Sequence, residues 1–243
     1  MEERTISAVS LNLAKESNPD RIMRDIQRMP RLRDADLFLF QEVVHGNTRW
    51  SVADEMARSL GYHCSFEPAA PAVHDQGLGV VSRYTISHVR VTPLKPCDLG
   101  FRSRRRFALS GKVQTPWGDI RVWNVHLDTR VNAAERLEQL QPVIDEAAQH
   151  TGPILIGGDF NTNELRWFRN MAPLPGGPSH CETIRSAMGH HGFHSPMPSG
   201  LNTFPSFRRH LDWMFTRSLT PVGVTVEPTE FSDHNAVWIR VRM

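Results

Sequence analysis

The sequence predicts one α/β domain, in which short buried strands alternate with amphipathic helices. The 243 residues are enough for a single large core, and no Gly-, Ser- or Pro-rich linker divides them. Short aliphatic runs such as 37–40 and 154–156 have the length and flanking residues of buried strands. Apolar residues at helical spacing over 132–149 predict a helix. The turn signal at 115–118 predicts a hairpin, which favours antiparallel pairing.

Composition narrows the class of protein. Hydrophobic residues make up 40% and charged residues 22%, and no apolar run approaches the ~20 residues of a membrane-spanning helix. Because the net charge is only +2, attraction to a polyanion must come from local clusters. The three cysteines, Cys64, Cys97 and Cys181, form no Cys-x-x-Cys pair, and the amino terminus lacks the apolar core of a secretion signal. We therefore expect free thiols, no transmembrane segment, a monomer and a cytoplasmic location.

The same patterns assign the elements in order. Strands are predicted over residues 5–13, 36–42, 62–67, 77–83, 85–91, 107–113, 120–126, 153–158 and 210–215, with a final strand after residue 235. Helices are predicted over residues 18–29, 48–60, 132–149, 164–170 and 182–188. The strands 77–83 and 85–91 meet at Arg83-Tyr84, which suggests that they pair antiparallel.

The stretch 153–161 is the most informative. Its aliphatic run ends in Gly157-Gly158, which lets the backbone turn sharply and aim Asp159 and Asn161 at one small volume. These two residues also favour ordinary strand-end turns, so a capped turn is the alternative interpretation.

Polar side chains end other predicted strands. Asn12 follows the first strand, and His126 follows the strand 120–125. Glu42 follows the Leu-Phe-Leu-Phe run 37–40 after one intervening residue, and a carboxylate buried there needs a cation or a hydrogen-bond network. A metal ligand is the sharper hypothesis, and a Glu that simply reaches solvent is the alternative.

The last sixty residues repeat this arrangement. Asp212 lies within an otherwise apolar strand and must be paired if it is buried. Asp233 and His234 come just before the final strand. Each anchor alone is weak, and their recurrence at strand ends indicates a common site.

One charge cluster stands out, formed by Arg102, Arg104, Arg105 and Arg106. It precedes the strand 107–113, so we expect a loop. Two interpretations stay open: phosphate binding, or a solvated basic edge that protects the strand from aggregation.

Seven motifs together resemble the endonuclease/exonuclease/phosphatase superfamily, which has the deoxyribonuclease I-like fold. They are Asn12, Gln41-Glu42, residues 77–83, 124–127 and 158–161, Leu211-Asp212-Trp213 and Ser232-Asp233-His234. The resemblance spans nearly the whole chain. It implies a four-layer α/β sandwich, in which two mixed, mostly antiparallel sheets pack face to face with helices outside. It places the site at the strand ends where the sheets meet.

The resemblance also implies chemistry and roles. Phosphoester cleavage needs a hard divalent cation and an oriented water. Mg²⁺ suits an oxygen-lined site, with Mn²⁺ as an alternative ion. By resemblance, Glu42 is the main ligand, and Asn12 and Asp233 complete or adjoin the metal site.

The remaining roles also come from the resemblance. Asp159 orients or deprotonates the attacking water, and Asn161 holds a phosphate oxygen. His234, oriented by Asp212, contacts the phosphate or transfers a proton. His126 matches the family histidine that binds phosphate or protonates the leaving group.

Substrate is less determined than mechanism. Abasic-site endonucleases carry a Tyr shortly after the middle strand, where this chain has His126-Leu127-Asp128. That departure favours the branches with a His, which include deoxyribonucleases and sphingomyelinases. We expect a phosphodiesterase or nuclease whose partner is a phosphoester, nucleic acid among them. The alternatives are a lipid phosphodiesterase, a small-molecule or inositol phosphatase, and a catalytically silent binding module.

Overall fold

Two β-sheets form the centre of the structure, a computed structural model that describes residues 4–45, 49–69, 76–97, 106–198 and 200–243. The first sheet has six strands in the order β12-β13-β1-β2-β4-β3. They are β1 Thr5–Asn12, β2 Leu37–Val43, β3 His63–Pro68, β4 Gly77–Ser82, β12 Thr220–Glu227 and β13 Ala236–Arg242. The second has five strands in the order β11-β8-β7-β6-β5. They are β5 Ile86–Pro93, β6 Phe107–Thr115, β7 Gly118–His126, β8 Ile154–Asp159 and β11 Asp212–Arg217.

Both sheets are mixed. The pairs β1–β2 and β7–β8 are parallel, and the other pairs within the two sheets are antiparallel. The predicted turn at 115–118 is a hairpin, since Thr115 pairs with Gly118 between β6 and β7.

Helices cover the outer face of each sheet. The helices are α1 Pro19–Arg28, α2 Pro30–Arg33, α3 Val52–Leu60, α4 Ala133–Ala148 and α5 His180–His190. The Asn18 carboxamide caps α1, a Ser51–Asp54 capping box starts α3, and the left-handed Gly61 ends it. Among the described residues, no helix is long and apolar enough to cross a bilayer.

Three apolar clusters separate four layers. One lies between the first sheet and α1–α3, with Phe38 and Phe40 against Ile22 and Met56. The second fills the space between the two sheets. The third packs the second sheet against α4 and α5, around Trp123. Each inner strand is covered on both faces, as its apolar sequence requires. The predicted four-layer sandwich is confirmed.

Two local predictions were wrong, and one long strand was not predicted. The segment 164–170 is not a helix, because β9 Arg166–Phe168 pairs with β10 Ala172–Leu174. Asn132 holds the extended backbone, since its carboxamide accepts from Trp167 N (2.8 Å) and donates to Trp167 O (3.1 Å). Next, β4 and β5 do not pair; the link between them crosses from one sheet to the other. Finally, β12 was not predicted, although it pairs with β13 along its length.

The parallel pair β7–β8 depends on Gly158. Its backbone has a φ of +145°, and an added Cβ would stand 2.0 Å from the carbonyl oxygen of Val125. The neighbouring Gly157 faces Met214, whose sulfur would lie 2.4 Å from an added Cβ. The two glycines therefore serve close strand packing directly before Asp159.

We expect Gly158→Ala to lower the free energy of unfolding by about 3 kcal/mol or more, because overpacking and backbone strain act together. Gly152→Ala is the matched control, since nothing lies within 4 Å of its added Cβ; its effect should stay within about 0.5 kcal/mol. Urea unfolding of both variants measures the difference. Equal stabilities would show that the glycine contact does not hold the strand pair.

Candidate active site

Strand register gathers the predicted residues from the second sheet. Asp159 on β8 stands opposite His126 on β7 and opposite Asp212 on β11. The side chains of His126, Asp159 and Asp212 therefore lie next to one another on three neighbouring strands. The first sheet contributes Asn12 from the end of β1, paired with Gln41 on β2.

The Asp159 carboxylate is the meeting point. It is 1% exposed. Asn12 Nδ2 donates to its Oδ2 at 3.0 Å, and the backbone N–H of Asn161 donates to its Oδ1 at 2.9 Å. Nε2 of His126 and Nε2 of His234 lie 3.5 Å and 3.8 Å from the same Oδ2. A buried carboxylate is thus satisfied by groups from both sheets.

His234 and Asp212 form the predicted pair. Nδ1 of His234 donates to Asp212 Oδ2 at 2.9 Å, which leaves the Nε2 edge of the ring toward Asp159. Asp212 is fully buried, and its backbone N–H donates to Thr203 Oγ1 at 3.1 Å. This side chain orients the imidazole, because a carboxylate oxygen can only accept.

The charges of this group are coupled. Burial opposes the charged form of His234, but the carboxylates of Asp212 and Asp159 outweigh it and raise its pKa to about 10. Burial raises the pKa of Asp159 to about 7, against the lowering effect of His234 and with a further increase from Asp212. These shifts favour an imidazolium at His234 and raise the protonated fraction of Asp159 at neutral pH.

Backbone strain marks the two remaining strand-end residues. Glu42 (φ +52°) and Asn161 (φ +52°) both adopt the left-handed region, which is unusual for residues other than glycine. Glu42 lies where the β2–β4 register shifts between Phe40 and Val43. A bulge of this kind re-aims a side chain that a regular strand would point elsewhere. Strain at two positions of one site is typical of functional residues.

These side chains line one cleft. The cleft has a volume of about 650 Å³ and lies where the strand ends of the two sheets meet. All of the sequence-predicted residues except Asp212 and the arginine cluster line it: Asn12, Glu42, His126, Asp159, Asn161, Asp233 and His234. Arg130, Trp167, Phe207 and Arg209 also line the cleft.

The donor set fits a hard cation. The described carboxylates that line the cleft are those of Glu42, Asp159 and Asp233, with the carboxamide of Asn12 beside them. Oxygen ligands of this kind suit Mg²⁺. Asp159, Asp212 and His234 also bring ligand atoms within 4.8 Å of one another. Because Nδ1 of His234 is hydrogen-bonded to Asp212 at 2.9 Å, this trio fits a hydrogen-bonded group better than a metal site.

The arginine cluster is only partly described. Arg102, Arg104 and Arg105 lie outside the described residues. Arg106 is mostly buried, and its Nε donates to Asp128 Oδ1 at 2.7 Å. Arg106 is not among the residues that line the cleft. Its ion pair with Asp128 instead holds the loop that follows His126.

Two groups that support the site were not assigned a role from the sequence. Arg136 on α4 is fully buried, and its Nη1 donates to Asp128 O (2.6 Å) and Phe160 O (2.7 Å). Burial lowers its pKa to about 10, so it stays charged at neutral pH. It ties together the loops that follow β7 and β8. The available signal was its position on the apolar face of the predicted helix.

The second group links the two sheets beneath the cleft. Gln41 Nε2 donates to Asn124 Oδ1 at 2.7 Å, and Asn124 Nδ2 donates to Phe40 O at 2.8 Å and Gly79 O at 2.9 Å. Both residues are 0% exposed. A carboxamide inside an apolar strand, directly before Glu42 or two residues before His126, was the sequence signal.

The chain is similar to known proteins over most of its length. The model of the Endonuclease/Exonuclease/phosphatase family matches residues 9–234. A UPF0294 protein of Yersinia pseudotuberculosis is 31% identical over 104 residues, 40% of this chain and only 33% of its own length. A UPF0294 protein of Yersinia enterocolitica is 25% identical over 85% of this chain and 73% of its own length.

Solved structures share the fold. An endonuclease/exonuclease/phosphatase from Beutenbergia cavernae superposes with a TM-score of 0.75 at 22% identity, covering 99% of this chain and 72% of its own. TDP2 of D. rerio in complex with a single-strand DNA product gives a TM-score of 0.70 at 13% identity, covering 98% and 99%. With the family model matched from the first strand to His234, the chain belongs to the endonuclease/exonuclease/phosphatase family.

Proposed function

We propose that this protein is a Mg²⁺-dependent phosphodiesterase that cleaves phosphoester bonds by attack of water on phosphorus. The observation that carries the proposal is the buried Asp159 carboxylate between His126 and His234, at the floor of a cleft also lined by Glu42. Members of the family are phosphoester hydrolases. Fold neighbours include TDP2 with single-strand DNA and ANGEL2, a 2',3'-cyclic phosphatase.

The cleft binds the phosphate through donors at its floor. The His234 imidazolium presents Nε2–H toward the cleft, while Asp212 fixes the ring through Nδ1. Asn161 donates one carboxamide proton to Leu127 O at 2.9 Å, and its second proton is available for a phosphate oxygen. These donors stabilise negative charge that grows on phosphorus oxygens in the transition state.

Asp159 serves as the base. A water beside its carboxylate loses a proton to Asp159 as the water oxygen bonds to phosphorus. A base with a pKa near neutrality is ionised in part at working pH and is still basic enough to take a proton from water. Burial raises the pKa of Asp159 into this range. As the P–O bond breaks, its electron pair stays on the leaving oxygen, which takes a proton from His126.

Glu42, with Asn12 and Asp233 beside it, would hold the cation. Bound there, Mg²⁺ supplies positive charge that neutralises phosphoryl oxygens and lowers the pKa of nearby acids. The left-handed backbone at Glu42 directs its carboxylate to this side of the cleft.

A second candidate function is hydrolysis of a phospholipid headgroup. The hairpin β9–β10 exposes Phe168, Met171 and Leu174, and Arg166 and Arg169 are exposed beside them. Apolar side chains with adjacent cations suit an anionic lipid surface. Trp167, on the same hairpin, lines the cleft. The strands of this hairpin have only three residues each, which limits the area that it can insert.

A substrate panel separates these functions. Bis-p-nitrophenyl phosphate, p-nitrophenyl phosphate, plasmid DNA, RNA and sphingomyelin vesicles are each assayed with Mg²⁺ and with EDTA. We expect diester hydrolysis that EDTA abolishes. Hydrolysis of vesicles alone selects the lipid function, and the absence of metal-dependent hydrolysis of every substrate contradicts both.

Glu42→Gln removes the charge for the cation and keeps the shape. We expect kcat/KM for bis-p-nitrophenyl phosphate to fall by about 100-fold or more, and the Mg²⁺ concentration at half-maximal rate to rise. Glu138→Gln is the matched control, because Glu138 is an exposed residue of α4 outside the cleft. Full activity of Glu42→Gln, or of the wild type in excess EDTA, would refute the metal role.

Asp212→Asn should lower the pKa of His234, because the charge that stabilises the imidazolium is removed. In the wild type His234 stays protonated until the pH approaches about 10; in the variant it loses its proton at lower pH. We expect kcat to fall by about 100-fold or more, and the alkaline limb of the rate profile to move to lower pH. An NMR titration with the same His234 pKa in both proteins would remove the pair from the mechanism.

A further inference from the structure

A second cavity adjoins the catalytic cleft. It has a volume of about 650 Å³ and lies between the loop after β8, the start of α5 and the segment 207–210. Asn163, Phe207 and Arg209 line both this cavity and the cleft. A substrate that extends beyond the scissile phosphate in this direction therefore passes Phe207.

Aromatic rings lead from the catalytic imidazole to this junction. Phe204 contacts His234 edge-on, with 4.9 Å between the ring centroids. The ring of Phe207 lies 5.8 Å from that of Phe204 and nearly parallel to it, at 6°. The 3₁₀ helix Pro205–Phe207 holds the two rings in place, and Pro205 fixes its first φ. Phe207 remains 66% exposed, so a large part of its ring is open to a ligand.

Cations surround the exposed ring. The Arg209 guanidinium lies 5.2 Å from the centroid of the Phe207 ring. The second cavity is lined by three arginines, Arg185, Arg208 and Arg209, and by two glutamates, Glu164 and Glu182. Its lining is thus polar and slightly basic, with one aromatic face at the entrance.

The chemistry of this lining selects among ligands. Nucleobases stack on aromatic rings whatever their sequence, while arginines bind the flanking phosphates. An acyl chain would have to desolvate the charged groups of the cavity, which is costly. An isolated exposed Phe is ordinary on a protein surface. Phe207 differs because a second ring and a guanidinium lie beside it at the junction of two cavities, while 66% of the residue stays exposed.

We propose that the second cavity is a subsite for one nucleotide of a single-stranded nucleic acid, whose base stacks on Phe207 and whose flanking phosphate is bound by Arg208 and Arg209. The proposal rests on the phosphodiesterase function above, because the cleft receives the neighbouring scissile phosphate. A duplex keeps its bases paired and stacked, so the open ring selects for single strands.

Three variants test the stacking role. Phe207→Ala removes the ring, Phe207→Trp keeps an aromatic face, and Phe168→Ala removes an exposed Phe (57%) that lines neither cavity. For a labelled single-stranded oligonucleotide, we expect kcat/KM to fall about 5- to 150-fold in Phe207→Ala, with recovery in Phe207→Trp. The fall for bis-p-nitrophenyl phosphate should be much smaller, because that substrate ends within the cleft. DNA, RNA and duplex DNA form separate arms.

Binding tests the subsite without turnover. Fluorescence anisotropy of the oligonucleotide with Asp159→Asn, alone and combined with Phe207→Ala, should show a similar loss of affinity. Replacing Arg208 and Arg209 by Gln should flatten the slope of log K against log salt by about 0.7, since the two residues bind one phosphate and each phosphate contact to a single strand contributes ~0.7.

The outcomes separate this proposal from the catalytic one. If the wild type cleaves bis-p-nitrophenyl phosphate but Phe207→Ala changes both substrates equally, or Phe207→Trp fails to recover, the subsite is refuted and the phosphodiesterase stands. If the wild type cleaves no substrate, the function fails, and oligonucleotide binding still decides the subsite. A loss confined to lipid vesicles, or a preference for duplex, also overturns the proposal.

Discussion

The buried carboxylate of Asp159 is the constraint on which the site depends. Removing a carboxylate from water is costly unless donors and positive charge replace the solvent. Here the replacements are Asn12 from the first sheet, the backbone of Asn161 and the charged ring of His234. In the proposed mechanism two of these residues also bind the phosphate, His234 through Nε2 and Asn161 through its carboxamide. The contacts that stabilise the buried carboxylate therefore also position the residues of the site.

The two sheets must keep a fixed relation for these contacts to form. The layer between them is largely apolar. It fixes the spacing of the sheets but hardly their relative orientation, because apolar contacts are not directional. The hydrogen bonds of Gln41 and Asn124 fix the relative orientation of the sheets, since each bond needs a defined geometry. Arg136 does the same for the loops after β7 and β8. Buried hydrogen bonds of fixed geometry make such an arrangement specific.

Local strain completes the arrangement. Regular strands would alternate side chains between the two faces, and neither Glu42 nor Asn161 follows a regular path. The bulge in β2 and the turn after Asp159 direct both side chains into the cleft. The cost of left-handed backbone at two residues is borne by the packed strands on either side.

The sequence by itself determined most of the strands and helices, because apolar periodicity, capping residues and turn signals are local. The layered packing of the two sheets was implied by the family resemblance. The sequence also determined the recurrence of polar residues at the ends of buried strands, from Asn12 to His234. Tertiary structure decided what local pattern cannot express. The segment 164–170 is a hairpin because Asn132, far along the chain, bonds its backbone, and β4 and β5 part because each finds its partner in a different sheet. Other contacts join residues that are distant in sequence or that loop geometry brings together. They are the hydrogen bond of His234 to Asp212, those of Arg136, and the stacking of Phe204 on Phe207. Such contacts depend on register and sheet packing, which no short stretch of sequence contains.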